Sequence, residues 1–311
     1  MKRIKIAVYH RYEALSIPNK QRVKYVLNLL FVKRYFIAKL TKNSYAKNAS
    51  NPGFVIPRSK GVAKIDFYNK DLVNQAVAEA NKILENHKNK KDSVIENKSY
   101  LRVIANIDDL SLDNPIMKFA LDDQLISGIS KYLGVAPQLN SVNIMWSPPS
   151  DITGLSGKWT GSQLFHLDGD SDGIIKVWIL CNKVGEENGP TVLLPAEDSY
   201  KIGKKIKYHP PQRVLDESIF NSLEHKFVKA VGDPGTIYAT DTTRCLHQGS
   251  RTAEKSERLA IMLFFDTFRS SWYVTNHNKP KYNYKKLSKD ISGLPKRKRQ
   301  LFSMLADSSM A

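Results

Sequence analysis

Two histidines and one aspartate are spaced in this sequence as ligands of a single metal ion. His166 and Asp168 form a His-x-Asp pair, and His247 follows His166 by eighty-one residues. Two imidazole nitrogens and one carboxylate can occupy one face of an octahedral iron(II) ion, which leaves the other positions open for a cosubstrate and dioxygen. These residue types therefore indicate the chemistry of a non-haem iron oxygenase.

The local sequence predicts that strand ends position these ligands. Residues two apart in a strand point to the same face, so His166 and Asp168 can converge on one ion. A Gly-Asp-Ser-Asp-Gly turn at Gly169 to Gly173 follows the pair directly, and His247 is followed by Gln-Gly-Ser. We therefore expect the three side chains at the mouth of one β-structure.

From Ser141 onward, short β-rich runs alternate with turns, as is typical of an antiparallel sandwich or barrel. The sequence predicts a jelly roll, also called a double-stranded β-helix or cupin-like fold, with flanking helices. The eight predicted strands are Val142 to Ser147, Gln163 to Asp168, Ile174 to Leu180, Thr191 to Leu194, Lys226 to Val231, Thr236 to Ala239, Arg244 to His247 and Arg258 to Asp266.

Before about residue 135, helical signals dominate. Apolar residues recur at spacings of three and four from Leu72 to Leu84, after Asn69, and again from Leu125 to Leu133, before Gly134. Glycine readily adopts the left-handed conformation that ends a helix. Two amphipathic helices are therefore predicted to pack on the β-structure.

The charge distribution suggests the domain organisation. The net charge is +18, yet residues 1–50 hold twelve basic residues against one acidic, and residues 276–311 hold nine against two. The intervening residues 51–275 are balanced. We expect an oxygenase domain over 51–275, with its jelly-roll core at about 140–268, a partly helical basic extension at 1–50 and a basic tail at 276–311. We expect the two basic ends either to be solvated or to make weak contacts with a polyanion or a membrane surface.

Cysteine usage and hydropathy bear on location. Cys181 and Cys245 are too few for a disulfide framework, and the sequence shows neither a signal peptide nor an apolar run of transmembrane length. The expected location is the cytoplasm. The oligomeric state stays open.

An anion anchor is the second element of the predicted site. A five-carbon keto diacid that chelates the metal through its keto acid end would leave its far carboxylate in need of a forked cationic donor. Arg258 opens the apolar run Leu259 to Phe265 and is expected to point into the barrel. Arg251, four residues after His247, competes for the same role.

The order of these motifs resembles the phytanoyl-CoA dioxygenase (PhyH)-like family of Fe(II)- and 2-oxoglutarate-dependent oxygenases. The similar order runs from about Leu125 to Asp266 and consists of His-x-Asp, an aromatic strand, Glu-Asn-Gly-Pro with Leu-Leu-Pro, Pro-Gly-Thr, His-Gln-Gly-Ser and an arginine eleven positions after the histidine. The resemblance implies that His166, Asp168 and His247 bind iron and that Arg258 binds the C5 carboxylate of 2-oxoglutarate. It places Trp178 and Ser250 beside the cosubstrate.

The resemblance implies oxidative decarboxylation of 2-oxoglutarate to succinate and CO2, with dioxygen as the other cosubstrate, coupled to hydroxylation of a small-molecule substrate. Related iron halogenases replace the carboxylate ligand by a small residue, so Asp168 favours hydroxylation or a related oxidation. One departure concerns Pro195 to Ser199, which reads Pro-Ala-Glu-Asp-Ser where the family usually continues into Gly-Ser-His. Nothing in the sequence names the substrate.

Two other functions stay open. A jelly roll can serve as a catalytically inactive binding module, with the basic ends recruiting a polyanion. A nucleic-acid-oxidising dioxygenase is the other alternative, which the balanced charge of residues 51–275 disfavours because it offers no evident basic groove.

Overall fold

The computed structural model describes residues 53–67, 69–90, 96–149, 159–169, 173–208, 210, 212–215, 217–267 and 290–302. The predicted extension at 1–50 and much of the predicted tail lie outside these ranges, so the domain boundaries stay predictions. No helix in the described ranges is long and apolar enough to cross a membrane.

Helices and strands alternate early in the chain, and strands dominate after residue 137. The helices are α1 (Lys70–Lys90), α2 (Pro115–Ala120), α3 (Asp123–Leu133), α4 (Ala196–Lys205) and α5 (Lys296–Arg299). The strands are β1 (Val62–Ile65), β2 (Glu96–Lys98), β3 (Leu101–Asn106), β4 (Pro137–Ser147), β5 (Ile174–Leu180), β6 (Val192–Leu193), β7 (Val228–Lys229), β8 (Ile237–Asp241), β9 (His247–Gln248) and β10 (Arg258–Thr267). Short 3-10 helices span Ile107–Asp109, Gly161–Gln163, Glu217–Lys226 and Gln300–Phe302.

The strands form two antiparallel sheets. The major sheet has seven strands in the order β1-β8-β5-β10-β4-β3-β2, and the minor sheet has three in the order β7-β6-β9. A single bridge between His166 and His247 adds the predicted fourth strand to the minor sheet. The four minor-sheet segments and β8, β5, β10 and β4 match the eight predicted positions, and the jelly-roll prediction is confirmed.

Three strands and one helix depart from the sequence-based expectation. Helical signals dominate the sequence before about residue 135, and the strands β1, β2 and β3, which were not predicted there, extend the major sheet at both edges. The β3 sequence, Leu-Arg-Val-Ile-Ala-Asn, is almost continuously buried and lacks the alternation that marks a strand with one solvated face. The segment after Pro195 is helix α4, which begins with two acidic residues and ends with two lysines.

All four predicted strands of the minor sheet are shorter than expected: the predicted strands at 191–194 and 226–231 are reduced to β6 and β7, with two residues each. In the predicted strand at 163–168, Gly161–Gln163 is a 3-10 helix, and the ladder is reduced to isolated bridges at Phe165 and His166. Strand β9 begins only at His247, since Arg244 and Cys245 close a turn on the carbonyl of Asp241.

Both predicted helices are confirmed, and their apolar faces cover the outer face of the major sheet. The Asn69 side chain accepts a hydrogen bond from the Leu72 backbone at 3.0 Å, which caps α1. Gly134 ends α3 with a φ of 79°. In β5 and β10, odd-numbered residues such as Ile179 and Leu263 join this core. Even-numbered residues therefore point into the space between the sheets.

Candidate active site

His166, Asp168 and His247 lie together between the sheets. The two histidines exchange both backbone hydrogen bonds, each 3.0 Å long, so their side chains share one face of the minor sheet. The Asp168 backbone N–H donates to the Thr242 carbonyl at 3.0 Å, which holds the carboxylate beside them. One ligand atom from each of the three residues lies within 4.8 Å of the other two, and such a group could hold a metal ion.

Backbone carbonyls fix the tautomer of both imidazoles. Nδ1 of His166 lies 2.8 Å from the Leu164 carbonyl oxygen, and Nδ1 of His247 lies 3.0 Å from that of Cys245. A carbonyl can only accept, so Nδ1 carries the proton and Nε2 keeps its lone pair. The Nε2 atoms lie 3.9 and 3.8 Å from the two Asp168 carboxylate oxygens. This donor set fits a divalent ion of the iron or zinc type.

The protonation states also suit metal binding. Burial, reinforced by the nearby His247, lowers the pKa of His166 to about 2. Burial likewise lowers the pKa of His247. Both imidazoles are therefore neutral at physiological pH, as a metal ligand must be.

Lys176 is a site residue that the sequence analysis missed. Its Nζ lies 2.7 Å from Oδ2 of Asp168, and both side chains are largely buried. Burial alone would raise the pKa of Asp168, but the adjacent Lys176 charge outweighs burial and holds the pKa below its usual range. The carboxylate is therefore ionised. Lys176 interrupts the apolar run of β5 two residues before Trp178, and this alternation could have identified it.

Arg258 occupies the inner face of β10 and is only 4% exposed. Its Nη1 donates to the Gly189 carbonyl at 2.7 Å and to Thr191 Oγ1 at 3.3 Å. Its Nη2 donates to Ser250 Oγ at 2.8 Å and to Ser147 Oγ at 3.4 Å. All four acceptors are neutral.

No carboxylate pairs with Arg258 within the described ranges. Burial lowers the pKa of Arg258 to about 10, so the guanidinium keeps its charge at neutral pH. A buried cation without a counter-ion is costly, and an anionic ligand would offset that cost.

Ser250 holds an unusual backbone conformation beside Arg258. Its φ is 63°, a region that non-glycine residues seldom occupy. The Gln163 side chain donates to the Ser250 carbonyl at 3.0 Å and stabilises this conformation. Such strain costs on the order of 1–3 kcal/mol and is common at functional sites. Here it directs the Ser250 hydroxyl to the guanidinium.

The Glu-Asn-Gly-Pro motif forms the wall behind Arg258. Gly189 has a φ of 63°, and its carbonyl accepts from both Arg258 and the Ser250 backbone. A Cβ at Gly189 would lie 2.6 Å from the Arg251 backbone nitrogen. Only glycine fits this turn without displacing its neighbours.

Arg251 lies apart from this cluster. Its Nε and Nη2 donate to the Gln163 carbonyl at 2.9 and 2.5 Å, and its guanidinium stacks 4.7 Å from the centre of the Trp159 ring. Of the two arginines, Arg258 is therefore the one enclosed with Ser250 between the sheets.

Trp178 lies on the inner face of β5 and is 8% exposed. Its indole N–H is buried without a hydrogen-bond partner, although a buried indole usually has one. Trp178 packs in an inner cluster together with Tyr100, Leu101, Val103, Met145, Ala260 and Met262. This cluster supplies an apolar floor between the two cationic residues of the site, Lys176 and Arg258.

No protein-family model matches the sequence, and no curated protein sequence matches it. Solved structures do resemble the fold. EctD from S. alaskensis, crystallised with 2-oxoglutarate and 5-hydroxyectoine, superposes with a TM-score of 0.48 at 17% identity over 71% of this chain and 79% of that chain. The carbocyclase SnoK from nogalamycin biosynthesis, described as non-heme and alpha-ketoglutarate dependent, gives 0.47 at 15% identity over 71% and 86%.

Proposed function

We propose that this protein is a non-haem Fe(II)- and 2-oxoglutarate-dependent dioxygenase that hydroxylates a small molecule, releasing succinate and CO2. The observation that carries the proposal is a buried arginine without a described counter-ion in the same inter-sheet space as two neutral histidines and an ionised aspartate. Membership of the phytanoyl-CoA dioxygenase-like family, the oxygenase domain at 51–275 and a cytoplasmic location belong to the same proposal.

His166, Asp168 and His247 would hold the iron through two Nε2 atoms and the carboxylate. Iron(II), when bound, would supply a chelation site for the keto acid and the activation of dioxygen. The carbonyls of Leu164 and Cys245 keep both imidazoles in the coordinating tautomer. Lys176 keeps Asp168 ionised and restrains its carboxylate.

Arg258 would bind the far carboxylate of 2-oxoglutarate, with Ser250 as a hydroxyl donor. The guanidinium presents a planar fork that matches two carboxylate oxygens. Ser250 orients one side of that fork, and Gly189 holds the other. Trp178 would exclude water from the space that the cosubstrate occupies, because its ring lies in the apolar inner cluster. Each arrangement orders the site before the cosubstrate enters, which reduces the entropy lost on binding.

The test is anaerobic binding followed by turnover. Fe(II) and 2-oxoglutarate are added to the purified protein without dioxygen, and 2-oxoglutarate binding is expected only when the metal is present. Succinate formation is then followed under air with a panel of small molecules. A protein that binds neither iron nor 2-oxoglutarate would be the inactive binding module. Stimulation by single-stranded DNA, and by no small molecule, would favour the nucleic-acid alternative.

A further inference from the structure

Arg213 is a second cation that faces the candidate metal ligands. Val214 pairs with Phe165 in an antiparallel bridge, and the Val214 backbone N–H donates to the Phe165 carbonyl at 3.0 Å. In this register Arg213 stands opposite His166, and paired residues of antiparallel segments share a face. Since His166 also pairs with His247, the three residues form one row across the minor sheet.

The outer side of this row is occupied by an apolar cluster. Phe165, Val214 and Leu246 are buried there, and Phe165 stacks on Phe220 with ring centres 4.2 Å apart. Alternation therefore directs the intervening side chains inward. Arg213 therefore faces the same space as the two site histidines.

Arg213 has no described anion to balance it. Its Nη1 is buried without a hydrogen-bond partner, and no ion pair joins the guanidinium to a described carboxylate. Asp168, the one carboxylate of the metal-ligand group, is already paired with Lys176. Lys176, Arg213 and Arg258 thus place three positive charges around one negative charge.

The net charge of the site would stay positive when the proposed ligands are present. Iron(II) would add two positive charges, and 2-oxoglutarate would add two negative ones. The cosubstrate would engage Arg258 on β10, whereas Arg213 belongs to the opposite, minor sheet. The site would therefore retain an attraction for one more anion at Arg213.

We infer that Arg213 binds an anionic group of the primary substrate, a carboxylate or a phosphate, and that the substrate is therefore an organic acid or a phosphate ester. The inference rests on the proposed function and deepens it by naming a substrate class. A guanidinium beside the metal ligands would hold the anionic group by paired hydrogen bonds and orient a neighbouring C–H bond toward the metal.

The test uses inorganic phosphate and acetate as probes on the protein loaded with Ni(II) and 2-oxoglutarate, which fills the Arg258 site and prevents turnover. Each anion is titrated at constant ionic strength, and saturable stabilisation against thermal unfolding gives its dissociation constant. The stronger of the two probes identifies the preferred anion. In Arg213→Gln we expect this constant to rise at least about tenfold, equivalent to roughly 1.4 kcal/mol. The affinity for 2-oxoglutarate should stay within about twofold.

Two further variants keep the result interpretable. Arg251→Gln removes a guanidinium that binds the Gln163 carbonyl instead, and it should leave anion binding unchanged. Arg213→Lys keeps the charge and serves if Arg213→Gln does not fold; its anion affinity should fall less. Unchanged anion binding in folded Arg213→Gln or Arg213→Lys would overturn the inference, as would a loss of 2-oxoglutarate affinity comparable to the loss of anion affinity.

Failure of the proposed function would have a different signature. The parent protein would then show no metal-dependent 2-oxoglutarate binding. The same phosphate and acetate titrations on metal-free parent and Arg213→Gln would still decide whether Arg213 binds an anion.

Discussion

The two sheets of this molecule differ in regularity and in what they carry. In the major sheet, β10 pairs with β5 over seven consecutive residues and with β4 over ten, interrupted by a single register shift. In the minor sheet, β6, β7 and β9 contain two residues each, and His166 joins through one bridge. The candidate metal ligands nevertheless all come from the minor sheet and the turn beside it.

This contrast separates stability from chemistry. The major sheet is covered by helices on its outer face and forms the extended core. The minor sheet instead directs polar side chains, such as those of His166 and His247, into the space between the sheets. Because the minor-sheet strands are short, Ser250 can adopt a backbone conformation outside the β region. The regular major sheet holds Arg258 in position, so that its guanidinium donates to the Ser250 hydroxyl. Functional groups are commonly held on irregular segments by a rigid scaffold.

The largest effect on stability is expected in the major sheet. Phe265 in β10 is fully buried, so Phe265→Ala should lower the free energy of unfolding by about 3–5 kcal/mol. Denaturant titration measures this change. The adjacent Phe264 is only partly buried on the inner face, and Phe264→Ala should cost less, about 1–2 kcal/mol. Equal losses would mean that the two faces of the sheet contribute alike.

A change in the minor sheet should act on metal binding instead. His166→Ala removes one of three protein ligands, so affinity for iron(II) should fall at least about a hundredfold, roughly 2.7 kcal/mol. The metal-free protein should lose less than about 2 kcal/mol of stability, mainly through the hydrogen bond to Leu164. Metal titration and unfolding are measured on the same sample. His225→Ala at an exposed position is the control, and equal metal affinity in both variants would contradict the assignment.

The difference in regularity between the two sheets also explains which strands and site residues could be predicted from the sequence. Long apolar runs bounded by turns identify β5 and β10, and a His-x-Asp pair near a turn predicted a cluster that the structure does bring together. Lys176 was missed, although it stands two residues before Trp178 in β5 and must therefore share its face of the sheet. Arg213 could not be found, because its position depends on the bridge between Val214 and Phe165, which are forty-nine residues apart in the chain. Local patterns carry no information about such long-range pairing.

The sequence left two arginines, Arg258 and Arg251, as alternative anchors for 2-oxoglutarate, and substitutions can distinguish them. Arg258→Lys keeps the charge and loses the fork, so affinity for 2-oxoglutarate should fall at least about tenfold, or roughly 1.4 kcal/mol. Arg251→Lys should change it little, because that guanidinium binds the Gln163 carbonyl and stacks on Trp159. Binding is measured anaerobically with iron present. The opposite outcome would transfer the anchor to Arg251.

The smallest effect on iron and 2-oxoglutarate binding is expected from changes outside both sheets, in the basic cluster Lys296 to Arg299. Leu301 and Phe302, which follow Gln300 after this cluster, are buried in the main core, so this part of the predicted tail packs on that core. Replacing all four basic residues by glutamine keeps that packing and removes only charge. The contact between Lys298 and Asp123, at 3.9 Å, is a surface ion pair worth at most about 1 kcal/mol.

The neutralised protein should therefore bind iron and 2-oxoglutarate within about twofold of the parent while eluting from a heparin column at lower salt. The backbone is left intact because truncation would remove the buried Leu301 and Phe302 together with the charges. Matched unfolding curves establish that the variant is folded. If it is folded and has lost 2-oxoglutarate binding, the basic cluster contributes to the site, and the division between a catalytic space among the sheets and accessory basic ends is wrong.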